Sequence, residues 1–110
     1  MLRFFLVSAI LLFSQVSFGH TSQVKIHSLL IVEGTNLVYI YPEGGVNNPP
    51  SCHGSNGDYI SFSMDRPLAK EYLSMLMMAF AAQKTVTLFT KGDCIDQSVS
   101  ETLSYIHVYN

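Results

Sequence analysis

Three strand-like runs, one helix and two more strand-like runs, in that order, predict a mainly β domain with one helix. That order is the one found in a five-stranded Greek-key barrel of the OB type, with the helix between strands three and four. Two further observations point the same way. Ferredoxin-like folds need two helices, and only one convincing helical pattern follows the apolar start of this chain. The second strand-like run is also apolar on both faces, as a barrel wall is when it meets a helix or a neighbour as well.

Residues 1–19 stand apart from the domain. Arg3 supplies a positive charge, residues 4–13 an apolar run, and Ser17-Phe18-Gly19 a small-x-small cleavage site, the pattern of a signal peptide. The run is shorter than the about 20 residues that cross a bilayer, so export is expected without membrane insertion. No Cys lies near the cleavage point, which excludes a bacterial lipoprotein anchor. The domain is expected over residues 20–110, in a secreted or periplasmic protein. Beyond residue 19 five Lys/Arg face eight Asp/Glu, a net charge of −3. Nucleic acid demands clustered Lys and Arg, and anionic lipid attracts basic segments, so neither is an expected partner.

Residues 24–32 form a long, β-branched run that reads as the first strand, turned by Gly34-Thr35-Asn36. Residues 37–41 return as the second and Pro42 stops it. Leu37, Tyr39 and Tyr41 occupy one face, Val38 and Ile40 the other. Residues 43–57 (EGGVNNPPSCHGSNG) form a long irregular segment, of the kind that often carries function. The bland alternative is an excursion that Cys52 ties down. Residues 59–64 read as the third strand, with Ile60, Phe62 and Met64 inward and Tyr59, Ser61 and Ser63 outward.

The helix is predicted over residues 65–83 (DRPLAKEYLSMLMMAFAAQ), with Asp65 as N-cap and Pro67 in the first turn. Leu68, Tyr72, Met75, Leu76, Ala79 and Phe80 fall on one face at about 100° per residue. The opposite side starts polar with Lys70, Glu71 and Ser74, then turns apolar with Met77, Met78 and Ala81. Exposed apolar patches often mark interfaces, so this second face is expected to pack on another subunit; the alternative is a second layer of the same chain. Residues 85–90 read as the fourth strand, 91–100 as a loop and 101–109 as the last strand.

Cys52 and Cys94 are the only cysteines, and an exported chain is expected to pair them. The competing reading is a metal site from Cys52-His53 and Asp93-Cys94, but neither pair has the spacing of a zinc site. Enzymatic motifs are lacking: there is no G-x-S-x-G, H-E-x-x-H or phosphate-binding Gly-rich loop. His27 and His107 lie among apolar strand neighbours and read as satisfied wall histidines. His53, in the long loop, is the expected exposed one. The strand tyrosines, Tyr39, Tyr41, Tyr59, Tyr105 and Tyr109, suit wall packing, and aromatic faces also stack on sugars. The helix methionines read as core or interface, not as a soft-metal site.

The stretch CHGSNGDYISFSMDRPLAKEYLSMLMMAFAAQKTVTLFTKGDCIDQSVSETLSYIHVY resembles small exported proteins similar to the B subunit of subtilase cytotoxin. A Cys precedes strand three, and the helix ends in small apolar residues and a Lys. A short strand follows, then G-x-C, then an acidic-Thr start to a final strand with Tyr. The resemblance covers most of residues 24–109; the chain has no Trp. It implies an OB-fold, a homo-oligomer in the form of a pentamer ring, the central helix lining its pore, a cell-surface glycan ligand and a catalytic A subunit as partner. Ser22 sits roughly where the toxin subunit has a sugar-contacting Ser. The expected reading is therefore a non-enzymatic, carbohydrate-binding oligomer without cofactor or metal. Its ligand-binding residues are expected to be Ser22, Tyr41, Asn47 and His53, and its interface residues Met77, Met78 and Ala81. The alternative is a monomeric exported structural or inhibitory domain that binds another protein through Met77 and Met78; a small hydrolase comes third.

Overall fold

In the computed structural model of the chain, which describes residues 21–54 and 58–110, the first strand-like run is divided in two. Strand β1 (Thr21–Val24) and strand β2 (Ile26–Ile31) are separated by Lys25 alone. They pair with different partners, so the ladder bends from one sheet into the other at this residue, as strands do at the corners of packed sheets. The Lys25 carbonyl accepts from the Glu43 N–H at 2.8 Å and holds the bend. A β-bulge between Ile26 and Ser28 adds to the local twist. Alternation cannot reveal such a corner, because both halves keep the same period of two. The signal-peptide reading of residues 1–19 lies outside the described residues.

The remaining elements are β3 (Leu37–Pro42), β4 (Ile60–Ser63), α1 (Ala69–Ala81), β5 (Val86–Thr90) and β6 (Leu103–Val108). Two three-stranded antiparallel sheets result, ordered β1-β5-β6 and β2-β3-β4. The described residues thus form six strands where five were expected. A single parallel bridge, Ser61 to Thr102, links the sheets, with the Ser61 N–H donating to the Glu101 carbonyl at 3.0 Å. Both inner faces and the helix share one core, built on Val38, Ile40, Phe62, Leu76, Leu88 and Leu103.

The second face of β3 is covered as expected, but by the chain itself. Leu37, Tyr39 and Tyr59 form a smaller buried cluster with Tyr41 against it. Tyr59 and Ser61, expected outward, are buried there. The loop between β5 and β6 folds over them and satisfies their hydroxyls, which makes burial tolerable. Tyr59 Oη donates to Gln97 Oε1 at 2.9 Å, and Ser100 Oγ donates to the same oxygen at 2.6 Å. That leaves Ser61 Oγ as the donor to Ser100 Oγ, 2.5 Å away.

The helix begins four residues later than Asp65, with Leu68 in the cap position and no side-chain cap bond. Pro67 explains the delay: the residue before a proline is pushed away from helical backbone, so Arg66 cuts Asp65 off from the first turn. Arg66 is instead a tie. Its guanidinium donates to the Leu103 carbonyl and lies 3.5 Å from Asp96, whose carboxylate also accepts the Ser63 N–H at 2.8 Å. At the other end, Gln83 takes a left-handed φ of 54°, and the Lys84 N–H donates to the Ala79 carbonyl at 2.9 Å, closing the last turn.

The buried stripe of α1 is Ala69, Leu76 and Ala79, with Tyr72, Leu73 and Met75 partly buried. Leu68 and Phe80, expected inside, are 53% and 38% exposed. Small Ala69 and Ala79 let the helix approach its sheets closely, and that rotates the stripe away from the larger residues. The outer side is as apolar as expected: Met77 and Met78 are 56% and 58% exposed, and Ala81 is exposed as well. Among the described residues no helix is long and apolar enough to cross a membrane.

Candidate functional site around Glu101

Cys52 and Cys94 form a disulfide with Cα atoms 6.1 Å apart, which removes both thiolates from any metal site. The bond clamps the long β3–β4 loop to the β5–β6 loop. Beside it the Gly54 N–H donates to the Val99 carbonyl at 2.8 Å, and His53 Nδ1 accepts the Glu101 N–H at 3.2 Å. His53 is therefore half-buried, with its ring 6.5 Å from that of Tyr59, while among the described residues His27 and His107 are exposed. The ranking read from strand neighbours is reversed. An exposed strand face and a loop pinned by a disulfide look alike to local hydropathy.

Glu101 is held from both sides. On the neighbouring residue, Thr102 Oγ1 accepts the N–H groups of Ile95 and Asp96 at 2.8 and 3.1 Å, and the Thr102 N–H donates to the Asp93 carbonyl at 2.8 Å. With Thr102 anchored in the loop, Glu101 turns inward and is only 1% exposed. Neither oxygen of its carboxylate has a hydrogen-bond partner. Burying an unpaired carboxylate costs several kcal/mol, so this group demands an explanation.

Glu101 lines a narrow cavity of about 10 Å³, with Ser22, Asn47 and Thr90 as the other polar residues. The walls are apolar: Pro42, Val46, Ile60 and Leu88. Asn47 is exposed and Ser22 half-exposed, so the mouth opens between β1 and the turn after β3. That turn depends on Gly45 at φ 83°, where a Cβ would also come within 3.1 Å of the Asp58 side chain. The turn delivers Val46 and Asn47 to the cavity.

The four expected ligand residues fall into two pairs. Ser22 and Asn47 share the Glu101 cavity. Tyr41 and His53 instead flank Tyr59, at 5.3 and 6.5 Å between ring centroids. His53 joins the pairs through its bond to the Glu101 backbone. Sequence reasoning missed Glu101 itself, because a charge just before an apolar strand reads as a solvated strand end. Among the described residues no group of three His, Cys, Asp or Glu side chains is placed to hold a metal ion. A broader depression of about 550 Å³ lies on the outer face of β1, β5 and β6, lined by Gln23, Phe89, His107 and Tyr109 among others. Phe89 stacks on Tyr105 at 4.0 Å, so one face of each ring is already covered.

Burial pushes the Tyr59 phenol above its ordinary 10.0; Tyr39 and Tyr41 add to this, and the Gln97 contact offsets part of it. Folding therefore favours the protonated phenol. Below pH 10 the contribution is complete, and it is lost as pH rises through the folded value, because the unfolded chain releases its proton first. Unfolding in urea from pH 9 to pH 11 should show a decline that is shallower in Tyr59→Phe. Parallel curves for the two proteins would mean that Tyr59 is no better shielded than a surface phenol.

No protein-family model, curated protein or solved structure matches this chain.

Proposed function

We propose that this chain is an exported, non-enzymatic binding module that assembles into a ring and binds cell-surface carbohydrate at the mouth of the Glu101 cavity. The observation that carries the ligand reading is that Ser22 and Asn47, two of the expected ligand residues, meet at the mouth of one cavity. Sugar hydroxyls can bond the Ser22 hydroxyl and the Asn47 amide, and a sugar's C–H face suits the half-buried Val46 beside them.

Strand pairing supports the OB reading. If β1 and β2 count as one strand bent at Lys25, five strands remain, and the Ser61–Thr102 bridge brings β4 beside the start of β6. The disulfide fits an oxidising compartment and thus export. The apolar strip of Met77, Met78 and Ala81 fits a ring interface, and beside Met78 lies a hollow of about 430 Å³ lined by Met75, Ala82 and Val108. The ring size, a pentamer, and a catalytic A subunit are implied by the resemblance to toxin B subunits. The same strip supports the second reading, a monomer that docks another protein through Met77 and Met78.

A glycan array probed with the purified protein tests the ligand. Binding of a defined glycan set that Ser22→Ala weakens would support the site. A protein that binds no glycan, and instead captures one exported protein in a 1:1 complex, would replace the carbohydrate reading with the second one.

A further inference from the structure

We infer that neighbouring copies of this chain join head to tail, the tip of the β2–β3 turn of one seated in the hollow beside Met78 of the next, a contact that rests on the ring reading and names its two surfaces. The tip is an apolar knob. Leu30, Ile31 and Val32 are all exposed, Ile31 at 59%, and Met64 lines the flank of the turn with Ile31 and Val32. Such an exposed apolar cluster is a mark of an interface. The turn that carries it is held. Thr35 Oγ1 and the Thr35 N–H both donate to the Val32 carbonyl, at 2.9 and 3.3 Å, and Thr35 Oγ1 accepts the Leu37 N–H at 3.3 Å. The Met64 N–H donates to the Asn36 carbonyl at 2.9 Å. A knob fixed before docking loses little freedom when it docks.

The hollow lies at the far end of the helix. In the first turn of α1, Tyr72 Oη donates to the Ser104 carbonyl at 3.1 Å, near the start of β6. Further along, Met75 and Met78 line the hollow together with Val108, at the end of β6. The tip is tied to Met64, just before the helix begins, so about 20 Å of helix, at 1.5 Å per residue, separates tip from hollow. A chain cannot fill its own hollow, but a second copy can. Size and charge favour that occupant. The hollow measures about 430 Å³ and is walled by Met75, Met78, Ala82 and Val108, a lining that suits Ile31 and Val32. Lys84 lines it too, its Nζ donating to Asn110 Oδ1 at 2.9 Å. An ammonium has three donors, so two remain for a carboxylate. Glu33, exposed and next to Val32, brings that carboxylate. Because knob and hollow are different patches, the contact is heterologous and repeats from copy to copy until it closes.

Sedimentation of the purified protein and its variants tests the contact. Ile31→Asp spoils the knob and Met78→Glu the hollow, and each alone should sediment as a monomer. Mixed in equal amounts they should form dimers and nothing larger, because one intact knob and one intact hollow remain. Lys84→Glu should weaken association about tenfold or more, the low end for a close charge pair across an interface, and adding Glu33→Lys should restore it. An oligomeric wild type that Ile31→Asp leaves unchanged overturns this contact and keeps the ring reading. A wild type that is monomeric at high micromolar concentration overturns both. Growth without limit as concentration rises keeps the contact and overturns the ring, since a head-to-tail contact that does not close makes filaments. Folded monomers that fail to pair on mixing, or a charge swap that does not restore association, also overturn the contact. The charge swap decides the question even if Ile31→Asp or Met78→Glu fails to fold.

Discussion

Cys52→Ser is expected to lower the unfolding free energy by about 2–5 kcal/mol, the usual cost of removing a native disulfide from a small domain. The two cysteines are 42 residues apart, and closing a loop of that length restricts the unfolded chain by about 4 kcal/mol on the chain-entropy account. The native state suffers too. The clamp holds His53 against the Glu101 backbone and the β5–β6 loop over Tyr59 and Ser61. Freeing both loops exposes the Tyr39–Tyr59 cluster on the second face of β3. Urea titration of the variant and of reduced wild type should give the same shifted midpoint. A midpoint equal to that of the oxidised wild type would mean that the loops hold each other without the bond.

The double variant Met77→Glu/Met78→Glu should abolish assembly while leaving the fold intact. Both side chains are more than half exposed in the single chain, so a charge at either position meets water and costs the monomer little. Leu76 and Ala79, which do face the core, are untouched. In a ring the same two charges would be buried against a neighbour, where an unpaired carboxylate is strongly unfavourable. Light scattering should move from a mass several times that of the chain to that of the monomer, with unchanged circular dichroism. A wild type that is already monomeric at high micromolar concentration would refute the ring and favour the protein-docking alternative.

Much of this fold is legible in the chain because burial imposes a period. Val38 and Ile40, then Ile60 and Phe62, alternate as core residues should, and each reaches the common core. Met77 and Met78 could be placed on the outer helix face from the 100° step alone. The reading failed where a residue's partner is distant in sequence. Tyr59 and Ser61 look outward until Gln97 and Ser100 fold over them. Of the candidate site, Ser22 and Asn47 were reached, Tyr41 and His53 belong to the neighbouring aromatic cluster, and Glu101 was passed over.

What the sequence by itself determined is therefore local: the mainly β character, the one helix among the described residues, its apolar outer strip, and the pairing of its only two cysteines. Each rests on a period or on a count that no folding choice can alter. Only the tertiary structure decided that the first strand breaks at Lys25 and that the helix waits until Ala69. It alone shows that the Glu101 carboxyl is buried without a hydrogen-bond partner. The physical reason is that burial belongs to contacts. The carboxyl of Glu101 is ordinary in the chain and costly to bury only once β1, the turn at Gly45 and the disulfide-bound loops close around it.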